Sequence, residues 1–359
     1  MGALSHGLGL LAGMCFDRRT GGPGLEGLLG FPLGDHEVAV FALHGAQQLK
    51  AQESWLVLHC SGAVSKPLLQ LRTCTLGDLD CGFRLPGSGA YVDRAMMRDM
   101  DHDRLFDQGG LSRAAGVPSI VLVHGLMGRG STWSRQLPWL RELGRVYTYD
   151  APWHRGQDVV DAQPISTERY VEALAKAVRE LDGPALLVGH SMGGLHSWCL
   201  AAEHPELVSG LVVEDMAPDF VGGTTGPWEP WLYSWPEVFT SAAEVTERFG
   251  PVAGQYFLEA FDRVPGGWRL HGPIDKWIAT AAEWGVRDFW DQWRQVRCPS
   301  LLMEASVTVA PPGQMTKMAE IGWKSTYVKV EGAGHLIHDD APERYRAAVC
   351  EFIAAVAAG

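Results

Sequence analysis

Gly189-His190-Ser191-Met192-Gly193-Gly194 sets a serine in a G-x-S-x-G frame, directly after the apolar run PALLVG and directly before a helical stretch. The glycines admit a tight strand-to-helix turn that lifts the hydroxyl above a sheet edge, and the helix N-terminus beneath it favours developing negative charge. Ser191 is the expected nucleophile. A hydroxyl needs a base, and Gly332-Ala333-Gly334-His335, 144 residues further on between the last strand-like run and the last helix, offers an imidazole. His338 follows three residues later, with Asp339 and Asp340 beside it. A metal site built from these three lacks a further ligand at helical spacing, so His338 is expected to pack or hydrogen-bond near His335. Carboxylates that could orient the base are Asp215, Glu214 and Glu304. Strand alternation puts Glu214 and Asp215 on opposite faces, so at most one of that pair can reach His335.

These groups need elements to hold them. From about residue 118, short apolar runs alternate with longer mixed segments: SIVLVHG (119–125), RVYTYD (145–150), PALLVG (184–189), LVSGLVVED (207–215), SLLMEA (300–305) and STYVKVEG (325–332). Six strands separated by helices predict a doubly wound, mostly parallel sheet with helices on both faces. One helix is expected over 166–181, with Ser166 or Thr167 as N-cap and Gly183-Pro184 as its stop, another after Ser191, and an alanine-rich one from Pro342 to Ala358. Residues 218–295 break that rhythm. Eight of the 14 Trp fall there (Trp228, Trp231, Trp235, Trp268, Trp277, Trp284, Trp290, Trp293), and the readable periodicity, Ile274 to Trp293, is helical. This predicts an inserted helical cap, part of whose aromatics form its own core while the rest line a pocket.

Residues 1–117 read as an N-terminal extension with strand-like runs EVAVFAL, SWLVLHC and PLLQLRTC, four of the seven Cys (Cys15, Cys60, Cys74, Cys81) and Gly-rich connections. It could supply first antiparallel strands to the sheet, act as a loose extension ahead of a start near Met96, Met97 or Met100, or dock a partner. A net charge of -12 argues against a nucleic-acid binder, which needs a basic face. The odd Cys count without a C-x-x-C pair favours reduced thiols and a cytoplasmic setting. Met14 before Cys15 spoils a lipoprotein box, His6 spoils a myristoylation pattern, and no apolar run is long enough for a membrane span.

Taken in order, VLVHGLMGRGSTW, YTYDAPWHRGQD, LLVGHSMGG, LVVEDMAPD and VEGAGHLIHDDAPE resemble the α/β-hydrolase superfamily, and within it the small capped serine carboxylesterases. The resemblance covers about 118–359. It implies an α/β-hydrolase core over 118–217 and 296–359 with the cap at 218–295, and the chain order Ser…acid…His. In most relatives the acid is an Asp after the strand that here reads SLLMEA, but Ser306, Val307, Thr308 and Val309 offer none. In some esterases of this kind it follows the preceding strand in a D-x-x-P context, which Asp215-Met216-Ala217-Pro218 matches, so Asp215 is chosen over Glu214 and Glu304. The resemblance also implies oxyanion donors at the Leu126 and Met192 amides, with His124, Gly125, His190 and His338 in supporting positions. The activity it implies is hydrolysis of an apolar or aromatic ester through an acyl-enzyme, with a small-molecule substrate and neither cofactor nor metal. Thioesterase, lactonase and C–C hydrolase chemistry use the same triad, and a non-catalytic binder that has lost its acid is the rival from another class.

Overall fold

The computed structural model describes residues 25–33, 36–43, 54–60, 70–75, 83–84, 91–92, 104–112, 117–156, 164–223 and 229–358. The features read at Cys15, at Met96, Met97 and Met100, and at Trp228 lie outside them. The chain divides into two compact units, Met1–His102 and Asp103–Gly359. In the first, Leu25–Leu33, His36–Leu43, Ser54–Cys60 and Gln70–Thr75 form a four-stranded antiparallel sheet in chain order, and Phe83–Arg84 pairs with Tyr91–Val92. The three strand-like runs of the extension therefore make a sheet of their own.

The second unit is built on a seven-stranded sheet: β1 (Arg104–Gly110), β2 (Ser119–Val123), β3 (Arg145–Asp150), β4 (Ala185–His190), β5 (Val208–Glu214), β6 (Ser300–Ala305) and β7 (Ser325–Val330). The spatial order is β7-β6-β5-β4-β2-β3-β1. All neighbours are parallel except β1, which runs antiparallel to β3 at the edge. The sequence predicts six strands in a core that begins at residue 118. The seventh, Arg104–Gly110, lies upstream of that boundary and within the core sheet.

Strand alternation sorts the core into two layers. Val121, Val123, Leu187, Leu211, Val213 and Leu302 face one way, onto helices α1 (Thr167–Val178) and α2 (Met192–Glu203) with Trp198 and Trp293. Ile120, Leu122, Leu186, Val188, Val212 and Leu301 face the other, onto Trp133, Leu140 and the buried side of the C-terminal helix Pro342–Ala358. A sheet covered on both faces must be apolar at successive positions, which is why β2 and β4 read as unbroken apolar runs. Helix α1 starts where Ser166 accepts from the Arg169 amide (3.2 Å), and buries Tyr170, Val171, Leu174 and Val178 at helical spacing.

Between β5 and β6 the chain leaves the sheet. This insertion contains Ala242–Phe249, α3 (Pro251–Ala260) and α4 (Ile274–Trp284), together with a three-stranded sheet of Val238–Phe239, Gly267–Arg269 and Asp262–Val264. It is therefore not purely helical. Its own core joins Trp235, Phe239, Phe257, Phe261 and Trp277, with Trp231, Trp235 and Phe249 meeting edge to face. Among the described residues no helix is long and apolar enough to cross a membrane, and Cys199, Cys298 and Cys350 carry free thiols.

Candidate active site

The chain passes from β2 to β3 on one side and to β4 on the other, so a crevice opens beyond the carboxyl ends of β2 and β4. Ser191 stands there, directly after β4, at φ 50° and ψ −121°. The turn is held by its N–H to Glu214 O (2.8 Å) and by Gly194 N–H to its own carbonyl (2.8 Å). Gly193 is obligatory, since a Cβ there would lie 2.2 Å from Val123 O. Met192 opens α2, and the N–H of a first helical residue is not consumed by the helix. Leu126 lies in the loop after β2, and both Leu126 and Ser191 line one cavity.

His335 lines the same cavity. Its Nδ1 donates to Asp215 Oδ2 at 2.7 Å, which leaves Nε2 as the proton-accepting nitrogen. The turn before it is fixed by Gly334 N–H to Asp340 Oδ2 (3.0 Å). Asp215, fully buried at φ 48°, also accepts from the Ala305 amide (2.9 Å), the Thr308 hydroxyl (2.6 Å) and the Val309 amide (3.3 Å). Burial works to raise its pKa, but the hydrogen bonds from His335, Thr308 and Ala305 prevail and hold the carboxyl below its ordinary value. The loop after β6, which carries no acid of its own, is thus the cradle of the acid that β5 supplies.

Glu214 points to the other face. It accepts from His338 through both the backbone amide (3.0 Å) and Nδ1 (2.8 Å), while Trp133 stacks on the His338 ring at 4.7 Å. Burial alone would lower the His338 pKa, but the Glu214 charge and hydrogen bond raise it above the ordinary value. Glu304 accepts from the Tyr327 hydroxyl (2.6 Å). Neither runner-up acid touches His335. Among the described residues no group of three or more His, Cys, Asp or Glu is placed to hold a metal.

His190 donates from Nε2 to His335 O (3.0 Å), with the two rings 4.6 Å apart. Burial, reinforced by His335 and His338, pushes its pKa well down, so it is a neutral spacer. Gly125 is needed beside it, because a Cβ would come within 2.5 Å of His190 Nδ1. His124 donates from Nδ1 to Gly125 O (2.8 Å) and accepts at Nε2 from the Ala151 amide (3.1 Å), joining the ends of β2 and β3. Two further histidines bond to the loop after β2, His154 to the Met127 amide and His271 to Gly128 O; His154 lies in the segment YTYDAPWHRGQD without a role read from it, and no local pattern marks His271.

Residues 120–348 match the model of the Alpha/beta hydrolase family, and the chain belongs to that family. Membership supports hydrolase activity. The chain is 28% identical over 270 residues to the sn-1-specific diacylglycerol lipase ABHD11 of Mus musculus, a match spanning 67% of this chain and 82% of that protein. It is 33% identical over 97 residues to the pyrethroid hydrolase of Sphingobium wenxiniae, spanning 27% of this chain and 35% of that protein. Among solved structures, an E-2-(acetamidomethylene)succinate hydrolase superposes with TM-score 0.58 at 21% identity, covering 70% of this chain and 94% of that one. A marine microorganism esterase gives 0.57 at 22% identity, covering 70% and 99%. At such identities the structural likeness speaks for the fold.

Proposed function

We propose that this protein hydrolyses uncharged esters of apolar or aromatic substrates through an acyl-enzyme on Ser191. The observation that carries the reading is that Ser191 and the Asp215-bonded His335 open together into one cavity of about 730 Å³ walled by Met216, Phe220, Trp231, Phe257 and Trp284. Ser191 Oγ attacks the ester carbonyl as His335 Nε2 takes its proton. Asp215 keeps the second ring proton on Nδ1 and stabilises the imidazolium that forms. The Leu126 and Met192 amides receive the oxyanion. His335 then protonates the departing alcohol, and water repeats the sequence to free Ser191 and release the acid.

The cavity wall also argues for the substrate. No Lys or Arg is among the described lining residues, and Asp340 is a carboxylate among them. A dicarboxylate of the kind named for the succinate hydrolase would enter without a cationic partner and against Asp340. A neutral ester with an apolar acyl or aryl group meets no such penalty. In this reading the insertion serves as the cap of a core formed by 118–217 and 296–359, with β1 added to it. The rival reading, a binder without turnover, rests on the lack of an acid after β6, and the Asp215–His335 bond supports the enzyme reading over it.

The test is a series of p-nitrophenyl esters from acetate to octanoate. Wild-type turnover should rise with acyl length, and Ser191→Ala should lower kcat by about 10⁶-fold. Equal rates for the two proteins would end the ester-hydrolase reading.

A further inference from the structure

Resting on the ester-hydrolase reading, we infer that His154 and His271 are positioning residues which, with His124, fix the peptide planes of 125–128 so that the Leu126 amide faces the reacting carbonyl. The geometry begins with a four-residue turn, closed by Gly128 N–H to Gly125 O (3.0 Å), whose third residue, Met127, sits at φ 63°. A left-handed third residue marks a type II turn, which differs from type I chiefly by a flip of its central peptide, here Leu126–Met127. Met127 is not glycine, so its left-handed backbone must be held by its surroundings.

Three buried imidazoles hold it. Gly125 O receives His124 Nδ1–H (2.8 Å) as well as the Gly128 amide. Because a trans peptide sets its C=O and N–H on opposite sides, this turns the Leu126 N–H away from His124. Met127 N–H donates to His154 Nε2 (3.2 Å), and His154 Nδ1–H donates to Pro152 O (2.8 Å), which fixes the tautomer that leaves Nε2 as an acceptor. The bond opposes the flip of the central peptide, and it commits the Met127 amide, so Leu126 is the donor left for the oxyanion. Gly128 O in turn accepts from His271 Nε2–H (2.9 Å).

His154 and His271 are both fully buried, and their rings pack with Trp277 between centroids 5.1–6.1 Å apart. The two arrive from different places. His154 follows β3, whereas His271 comes from the insertion, whose Asp262 also pairs with Arg129 Nη1 at 2.7 Å next to the turn. The covering segment therefore takes part in setting the loop it covers.

The test compares His154→Leu, His154→Gln, His154→Asn, His271→Leu and His271→Gln in the full chain, with wild type and Ser191→Ala alongside on p-nitrophenyl butyrate. Losing a placed oxyanion donor costs about 10²–10³-fold in kcat, so each Leu variant should fall by about 10²-fold with KM changed less than about twofold. Glutamine carries an acceptor or donor to the Nε2 position and should restore kcat to within about tenfold of wild type, whereas His154→Asn, reaching only the Nδ1 position, should stay at least about tenfold below His154→Gln. If the Leu variants fail to fold, the Gln and Asn pair decides by itself. Full kcat in the Leu variants, or equal kcat in His154→Gln and His154→Asn, overturns the inference while Ser191-dependent turnover persists. No Ser191-dependent turnover in wild type overturns the ester reading and this one with it.

Discussion

Glu214 and Asp215 are consecutive carboxylates with separate duties, because the backbone turns to φ 48° at Asp215 as the strand ends. Asp215 holds His335, and Glu214 holds His338 in a fully buried pair. Asp215→Asn should lower kcat by about 10⁴-fold by admitting the wrong His335 tautomer. Glu214→Gln should leave kcat within a few-fold but cost about 3–5 kcal/mol of stability, since it strands a buried His338. The His338 pKa is raised in the fold, so that stability is full below the unfolded value near 6.5 and fades as pH rises through the higher folded value. Kinetics and urea unfolding of the two variants check both halves, and a reversed pattern would transfer the catalytic role to Glu214. Ser191 and His335 are legible as candidates because each sits in a local pattern at the end of a strand, and Asp215 becomes the candidate acid through the D-x-x-P context that the resemblance supplies. Thr308, His154 and His271 are not legible, since each acts on a backbone or carboxylate that only the folded chain brings near.

At the scale of elements, the strained residues gather where the parallel strands end. Among the described residues five non-glycine residues have positive φ, and four of them, Met127, Trp153, Ser191 and Asp215, follow β2, β3, β4 and β5, while Lys324 precedes β7. The strands themselves were legible, because burial on both faces imposes continuous apolar runs. Arg104–Gly110 was missed because RLFDQGG, an edge strand with an irregularity between Asp107 and Gly110, has two large apolar residues and no alternation. The insertion's strands are two or three residues long, too short for any period to show. The α2 glycines, by contrast, carry a packing demand that can be tested. A methyl at Gly193 would meet Val123 O at 2.2 Å and His124 O at 2.6 Å, whereas one at Gly194 would meet the Val213 methyl at 3.1 Å and Gly189 O at 3.2 Å, contacts that a shift of a few tenths of an ångström relieves. Gly193→Ala should therefore cost more than about 3 kcal/mol or fail to fold, because backbone cannot yield. Gly194→Ala should stay within about 1.5 kcal/mol, its contact cost offset by the alanine gain in helix propensity. Thermal denaturation ranks the two, and equal losses would mean that the contact between α2 and β2 is not what demands glycine.

For the molecule as a whole, the acidic balance and the buried histidines pull stability in opposite directions as pH falls. A net charge of -12 means that mild acid relieves repulsion. Yet burial holds His196 and His271 down to about 3, and holds His154 and His190 well below their ordinary value. Between the unfolded value near 6.5 and the folded value, the unfolded chain binds protons that the folded one refuses, so stability falls with falling pH by about 1.4 kcal/mol per unit for each such group. His338, of opposite sign, has already given its full contribution by pH 6.5, and the depressed Asp215 withdraws its share only below the ordinary carboxylate value. From pH 6.5 to 4.5, His196 and His271 alone remove about 5 kcal/mol, a large part of the 5–15 kcal/mol typical of a folded domain. Urea unfolding across this range should show the decline despite the favourable change in net charge. His196 stacks on Tyr170 at 4.5 Å, outside the residues lining the cavity, so His196→Phe keeps a ring there and removes one titration. Its slope should be shallower than wild type by about 1.4 kcal/mol per pH unit. A flat wild-type profile, or an unchanged slope in His196→Phe, would show that these imidazoles take up protons without opening the fold.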